Sequence, residues 1–221
     1  MEALLNRNEN FEELSQKDNA VIASGILTLK KIVKNNLHFN IPIYQRLYVW
    51  KVNQIRTLLE DLKNAFEKDI SYDFFLGGVM LSNNETNQID LVDGQQRFTT
   101  LWLLSDLLSI HCTKLKTFTY TSIQEPRIYF SIREKAQQFL KSKESFKEYF
   151  NESGEIIKGI ENEVSEIIPL VEGQQLIDEI LKGFQKEETF NISLFSDFIF
   201  SRVNLTYTFL PGSSDMNRVF E

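Results

Sequence analysis

Residues 74–110 read FFLGGVMLSNNETNQIDLVDGQQRFTTLWLLSDLLSI, and they carry the clearest structural signal in the chain. Two compact apolar segments, Phe74–Ser82 and Gln88–Val92, flank the polar, turn-rich stretch Asn83–Asn87, so a β-hairpin is predicted. The next segment, Gly94–Ile110, is apolar on nearly all sides, which is typical of a helix buried over most of its surface. We therefore expect an α+β fold in which this helix lies centrally on a sheet.

Weaker patterns surround this centre. Apolar side chains follow the 3.6-residue period over Asn53–Lys68, which predicts a helix, and a strand is predicted over Leu37–Tyr44. Pro42 has no amide donor, so that strand is expected at a sheet edge, or the proline at a strand end. A leader and an amphipathic helix are expected over residues 1–35, with Ile22, Ile26, Leu29 and Val33 at helical spacing. Further predicted elements are strands at Arg127–Ser131 and Leu205–Leu210, helices at Ile132–Leu140, Lys143–Phe150, Glu155–Ile168, Gln174–Phe184 and Ser193–Arg202, a turn at Pro211–Ser214 and a helix start at Asp215–Glu221.

The composition excludes several classes of protein. With 221 residues, 42% hydrophobic and 25% charged, the chain is globular rather than disordered. A single cysteine, Cys112, excludes an internal disulfide and a Cys-based zinc site, and two histidines, His38 and His111, argue against a His-rich metal centre. The longest apolar run, Phe74–Leu81, is far shorter than the roughly 20 residues of a membrane helix. We expect a soluble cytoplasmic protein with no membrane partner.

Charge is segregated along the chain, although the net charge is −7. Residues 111–147 hold 8 basic and 3 acidic side chains, whereas residues 148–188 hold 3 basic and 11 acidic ones. The basic stretch is suited to nucleic acid, but both stretches are also consistent with solvated helix faces. We favour solvated faces because no arginine cluster interleaved with aromatic residues is present. The basic residues are Lys114, Lys116, Arg127, Arg133, Lys135, Lys141, Lys143 and Lys147.

Two motifs carry chemical information. The first, Ile41–Trp50, combines an arginine and a glutamine with three large aromatic side chains, which suits a planar charged ligand such as a nucleotide. From composition alone, core packing of Tyr48 and Trp50 with a local ion pair at Arg46 is the favoured interpretation. The second motif, Asp93–Thr100, lies where a strand meets the buried helix.

The second motif has two interpretations. Asp93 is a candidate N-cap, and Gln96, three residues on, would complete a capping box. Alternatively, the helix start binds phosphate through free amides, Gly94 allows close backbone approach, and Arg97 makes a charge-assisted fork to phosphate oxygens. The residues alone leave both interpretations open.

Together the motifs resemble a known family. Ile41-Pro42-x-Tyr44-Gln45-Arg46-x-Tyr48-x-Trp50, followed by Asp93-Gly94-Gln95-Gln96-Arg97-x-Thr99-Thr100-Leu101, is similar to the N-terminal domain of GmrSD-type modification-dependent restriction endonucleases. Phe75–Gly78 and Asp215–Glu221 also match, so the resemblance covers roughly residues 20–221.

The resemblance implies a small ParB/sulfiredoxin-like mixed sheet with a buried central helix, followed by a mostly helical region. The implied domains are a leader and helix at 1–35, a nucleotide-binding core at 36–125 and a truncated helical region at 126–221. It also implies binding and hydrolysis of a nucleoside triphosphate with Mg²⁺, coupled to cleavage of modified DNA in phage defence. Asp93, Gln96 and Arg97 are the implied catalytic residues, with no protein metal site. The implied nucleotide-binding residues are Tyr44, Gln45, Arg46, Gly94, Gln95 and Thr99.

Two alternatives to a nucleotide-handling domain remain at this stage. In the family, Phe220-Glu221 is usually followed by further sequence and often by an HNH-type nuclease, so we expect a fragment without the nuclease. DNA would then be reached through the full-length protein or a partner nuclease. The first alternative is a ParB-like module that binds or cleaves DNA directly through the basic stretch. The second is a non-catalytic domain that docks a partner nuclease and self-associates as a homo-oligomer.

Overall fold

The computed structural model describes residues 22–84, 88–131, 133–142 and 165–210. Within these ranges the strands are β1 (Ala23–Thr28), β2 (Phe39–Ile41), β3 (Phe74–Asn83), β4 (Ile89–Asp93), β5 (Ile128–Phe130) and β6 (Val203–Leu210). The helices are α1 (Leu29–Lys34), α2 (Val52–Lys68), α3 (Gln95–Leu108), α4 (Thr113–Thr119), α5 (Glu134–Lys141), α6 (Ile168–Phe184) and α7 (Ile192–Arg202). The predicted leader, the helix at Lys143–Phe150, most of that at Glu155–Ile168, and the elements after Leu210 lie outside the described residues.

All six strands belong to one mixed sheet, in the order β1-β6-β3-β4-β2-β5. β6 pairs antiparallel with β1 and parallel with β3, and β3 pairs antiparallel with β4. β2 pairs parallel with both β4 and β5, so these three strands end at the same edge of the sheet. This mixed sheet with its helices confirms the α+β class and the antiparallel pairing predicted for β3 and β4.

Helix α3 forms the centre of the helical layer, as predicted. It contacts α4, α6 and α7, and residues on all of its sides are buried. The ring of Phe98 lies 4.8 Å from that of Phe39 in β2 and 6.2 Å from that of Phe118 in α4. Trp102 is fully buried and its Nε1 donates a hydrogen bond to Thr119 O at 3.0 Å. The site described below lies at the N-terminal end of this buried helix.

The helix expected up to residue 35 is partly wrong. Residues Ala23–Thr28 form a strand, which pairs along its whole length with β6. This distant pairing satisfies the backbone groups and overrides the helical spacing of Ile22 and Ile26. Thr28 then caps the short helix α1, because its Oγ1 accepts a hydrogen bond from Lys31 N at 3.0 Å. Helix α4 was not predicted, whereas α2, α5, α6 and α7 confirm predicted helices with somewhat different ends.

The two faces of the sheet are unequally covered. Along β6, Leu205 and Tyr207 are buried whereas Thr206 is exposed and Thr208 is half-buried. Because successive side chains in a strand point to opposite faces, one face packs in the core and the other carries polar groups. The domain boundaries at 35/36 and 125/126 stay a prediction; β1, β5 and β6 lie outside 36–125 but belong to the same sheet.

Candidate functional site

The loop after β2, residues 43–51, is held against the start of α3 by glutamine side chains; we call it the motif loop. Gln45 Nε2 donates a hydrogen bond to Val92 O, near the end of β4. Gln95 Nε2 donates to Gln45 Oε1 at 3.1 Å and to Arg46 O at 2.8 Å. Gln95 is buried, so its amide serves contacts within the protein. The two sequence motifs are therefore joined directly.

Gln96 anchors the same loop through both ends of its amide. Its Oε1 accepts a hydrogen bond from Val49 N at 2.8 Å, and its Nε2 donates to Leu47 O at 2.9 Å. The side chain thus pairs with a backbone donor and a backbone acceptor, much as a neighbouring strand would. Gln96 is also buried. Its observed contacts are with the motif loop, and its catalytic role stays a prediction.

Tyr48 adds a third connection between the motif loop and α3. Thr100 Oγ1 donates to Gln96 O at 2.8 Å, so the Tyr48 hydroxyl, 2.8 Å away, is the donor to Thr100 Oγ1. Burial raises the pKa of Tyr48 to about 12, against a smaller opposing effect of the hydrogen bond with Thr100. The Tyr48 ring also lies against Gly173 of α6, where an added Cβ would stand 2.8 Å from Cε1. Tyr48 therefore packs in the core, as composition had favoured.

The capping box predicted at the start of α3 is wrong. Asp93 ends β4, and the N-cap is Gly94, which has φ 83° and makes no side-chain cap. Gln96 is committed to the motif loop, so it does not close a box. A Cβ on Gly94 would stand 2.8 Å from Gly78 O and 2.9 Å from Val79 Cγ1. The close approach that Gly94 permits in the structure is to β3.

Arg97 lies over two glycines of β3. An added Cβ at Gly77 would stand 2.6 Å from Arg97 Nη1, and the φ of Gly77 is 125°. The pairing of β3 with β6 shifts register between Phe75 and Gly77, which makes room for the guanidinium. Among the described residues, the hydrogen-bond partner of Arg97 is Gly78 O, at a long 3.4 Å. Most of the five N–H donors of the guanidinium thus remain available to a ligand.

A cleft of about 490 Å³ opens beside Arg97. Its aromatic walls include the half-buried Trp50 at the end of the motif loop and the half-exposed Phe75 of β3. Its polar wall is one face of α2, where Asn53, Thr57 and Asp61 follow one another at intervals of four residues. This helical spacing of polar residues was visible in the sequence but was not used. The remaining lining residues are Gln54, Leu58, Phe74 and Leu76.

Arg97 is the one predicted site residue that lines this cleft. Tyr44 and Arg46 are exposed on the motif loop, and Asp93 is exposed at the end of β4. Thr99 is 1% exposed within α3. Partial burial raises the pKa of Tyr44, and the charge of Asp90 raises it further. The ligand contacts assigned to these residues stay predictions.

Arg133 is a contributor to the site that sequence reasoning did not assign to it. Its Nη2 donates a hydrogen bond to Gln45 O, and its buried Nη1 has no hydrogen-bond partner in the described part of the chain. Burial lowers the pKa of Arg133, while the charge of Glu166 opposes that effect. Arg133 and Gln45 are 88 residues apart, so no local pattern could have found this contact.

The basic stretch 111–147 uses several of its charges within the protein. Lys114 pairs with Asp197 at 3.1 Å and Lys141 with Glu125 at 2.7 Å. Arg127 is buried and donates to backbone and side-chain oxygens, including Thr117 O. Arg133 binds the motif loop, while Lys143 and Lys147 lie outside the described residues. Direct contact of this stretch with DNA stays a prediction, and half of its eight basic side chains already have protein partners.

Two searches concern the described residues alone. In those ranges, no three His, Cys, Asp or Glu side chains converge closely enough to hold a metal ion. No described helix is both long and apolar enough to cross a bilayer.

The fold and site define a mixed-sheet α+β domain in which an aromatic loop is fastened to the start of a buried helix. The family model for the GmrSD restriction endonuclease, N-terminal domain, matches residues 29–221. The chain belongs to this family, which confirms the resemblance carried by the two motifs. No curated protein significantly matches the sequence.

Proposed function

We propose that this chain binds and hydrolyses a nucleoside triphosphate at Arg97, as the nucleotide-handling domain of a GmrSD-type DNA restriction system. One observation supports this most strongly. Arg97 borders a cleft of about 490 Å³, while its hydrogen bond to the described protein is a single long one of 3.4 Å. A guanidinium with unused donors at the start of a helix favours phosphate, because charge-assisted hydrogen bonds and the helix dipole both stabilise an anion.

The contacts around the cleft suggest how the nucleotide lies. The phosphates bind Arg97 and the first-turn amides of α3, since those amides lack partners within the helix. The base lies in the cleft beside Trp50, with Asn53 and Asp61 of α2 near its polar edge. Gln95 and Gln96 act as positioning residues that keep the motif loop, and with it Trp50, in place.

Hydrolysis in this site uses Mg²⁺ held jointly by phosphate oxygens and a carboxylate. Mg²⁺ in proteins is usually bound by one or two carboxylates together with substrate phosphates, and Asp93 and Asp61 offer such single carboxylates. When bound, the ion neutralises developing negative charge on the phosphates. The exposed carboxylate of Asp93 accepts a hydrogen bond from a water molecule and orients it toward the phosphate.

Isothermal titration calorimetry with ATP, GTP, CTP and UTP, each with Mg²⁺, tests the assignment. We expect at least one triphosphate to bind, and Arg97→Ala to weaken it by about 10- to 100-fold, since hydrogen bonds to charged groups contribute roughly 1.5–3 kcal/mol. Arg56→Ala, at an exposed position of α2 outside the cleft, is the matched control and should leave affinity unchanged. Phosphate release should fall with Arg97→Ala as well. Equal affinity of wild type and Arg97→Ala would overturn the assignment.

A further inference from the structure

A second, larger cavity lies at the opposite edge of the sheet from Arg97. It measures about 560 Å³, within the roughly 300–1,000 Å³ of small-molecule sites. It is lined by Phe39 and Ile89, the first residues of β2 and β4, whereas Arg97 comes after the last residue of β4. Because β2 and β4 are parallel, their first residues lie at the other edge of the sheet from Arg97. This groove, which we call the amide groove, is therefore separate from the proposed triphosphate site.

Carboxamide side chains line the amide groove, and three of them are fixed through one end. Asn35 Nδ2 donates to Lys31 O at 3.0 Å, and Asn36 Oδ1 accepts from Arg127 Nη1 at 2.9 Å. Gln137 Oε1 accepts from Phe130 N at 3.1 Å. Their other ends, which are one acceptor and two donors, have no hydrogen bond to any described residue. The groove thus presents oriented hydrogen-bonding groups to a ligand.

An exposed aromatic ring provides the flat wall of the amide groove. Tyr129 is 48% exposed on β5, and its register partner in β2 is Asn40, so both side chains project from the same face of the sheet. Asn40 is buried and fixed at both ends, to Asp90 Oδ1 and to Ser131 Oγ, each at 2.6 Å. Tyr129 therefore stands on a rigid floor, and its ring is accessible for stacking.

The amide groove carries almost no free charge. Glu125 is paired with Lys141 at 2.7 Å, and the guanidinium of Arg127, which hydrogen-bonds Asn36, is buried. Burial and the charge of Arg127 lower the pKa of His38, so its imidazole is mainly neutral at pH 7. A neutral site does not favour phosphate, whereas it suits a planar ring with hydrogen-bonding edges.

We propose that the amide groove binds a neutral nucleobase, stacked on Tyr129 with its polar edge facing Asn36 and Gln137. Carboxamides match the adjacent donors and acceptors of base edges, and aromatic side chains stack on the faces of bases. A free nucleoside and a base presented by single-stranded DNA share this chemistry. The proposal does not depend on the triphosphate site at Arg97.

Ligand-observed saturation-transfer NMR and calorimetry with adenosine, guanosine, cytidine and uridine test the proposal, with short single-stranded oligonucleotides as a second arm. We expect Tyr129→Ala to weaken binding about 10-fold or more, because it removes the stacking surface. Tyr129→Phe keeps the ring and should retain binding. Tyr72→Ala, at a tyrosine that is 72% exposed outside the groove, is the matched control. Arg97→Ala should leave nucleoside binding intact, which separates this site from the triphosphate site.

The two arms distinguish the sources of the base. Binding of a nucleoside supports a free ligand, and binding of the oligonucleotide alone supports a base within a strand. The proposal is overturned if neither binds, if Tyr129→Ala binds as well as wild type, or if glucose binds while nucleosides and oligonucleotides do not.

Discussion

Replacement of Gln96 by alanine tests whether the motif loop is held by the start of α3. The substitution removes the acceptor for Val49 N and the donor to Leu47 O, which lie 2.8 and 2.9 Å from the Gln96 amide. It leaves the helix intact, because alanine is the best helix former. Any loss of stability therefore reports the two contacts with the loop.

The expected magnitude follows from the burial of these groups. An unsatisfied buried donor or acceptor costs about 1–3 kcal/mol. Val49 is 41% exposed, so water can partly replace the lost acceptor, whereas Leu47 is half-buried and Gln96 is 6% exposed. We expect Gln96→Ala to lower the free energy of unfolding by about 2–3 kcal/mol, near the lower part of the range for two groups.

Urea unfolding followed by tryptophan fluorescence measures this loss. Trp50 follows the motif-loop residue Val49, and Trp102 lies in the core, so the two fluorophores report on the loop and on the global transition. Gln138→Ala, at an exposed position of α5, is the control and should change stability by less than about 0.5 kcal/mol. A loss for Gln96→Ala no larger than that of the control would refute the anchoring role.

Two further substitutions test the same region. Gly94→Ala should lower the free energy of unfolding by about 2–4 kcal/mol in urea titrations, because a left-handed conformation costs an L-residue roughly 1–2 kcal/mol and its Cβ would meet Gly78 O at 2.8 Å; a loss below about 1 kcal/mol would contradict the geometry. Tyr48→Phe should cost about 1 kcal/mol at pH 7 through the hydrogen bond to Thr100. The pKa of Tyr48 is raised by burial from 10.0 to about 12, so its contribution to stability is complete below pH 10 and is lost as the pH rises toward 12, at about 1.4 kcal/mol per pH unit. Tyr48→Phe should lack that part of the alkaline slope, and identical slopes of the two proteins would speak against it.

The sequence was sufficient where the pattern is local. Helix α3 and the paired strands β3 and β4 were predicted because their apolar residues are contiguous and the polar stretch between the strands is short. Strand β1 was missed because Ile22 and Ile26 are spaced by one helical turn, and its pairing with β6 lies about 180 residues further on. Asp93 was misassigned as a cap for a related reason, since β4 extends through Asp93 and Gly94 takes the cap position. Such choices depend on the neighbouring strand, which a local window does not contain.

The candidate site was predictable as a pair of motifs but not as a division of labour within them. Successive helix residues are rotated by about 100°, so three consecutive side chains at the start of α3 leave the axis in different directions. Gln95 and Gln96 reach the motif loop, 47 to 50 residues away in sequence, and Arg97 reaches the glycines of β3. This explains why an aromatic loop and a distant Asp-Gly-Gln-Gln-Arg sequence occur together, because the glutamines need the loop's backbone groups as partners. It also separates two kinds of defect: loss of a glutamine should act on stability first, whereas loss of Arg97, which makes one weak contact with the described protein, should act mainly on ligand affinity.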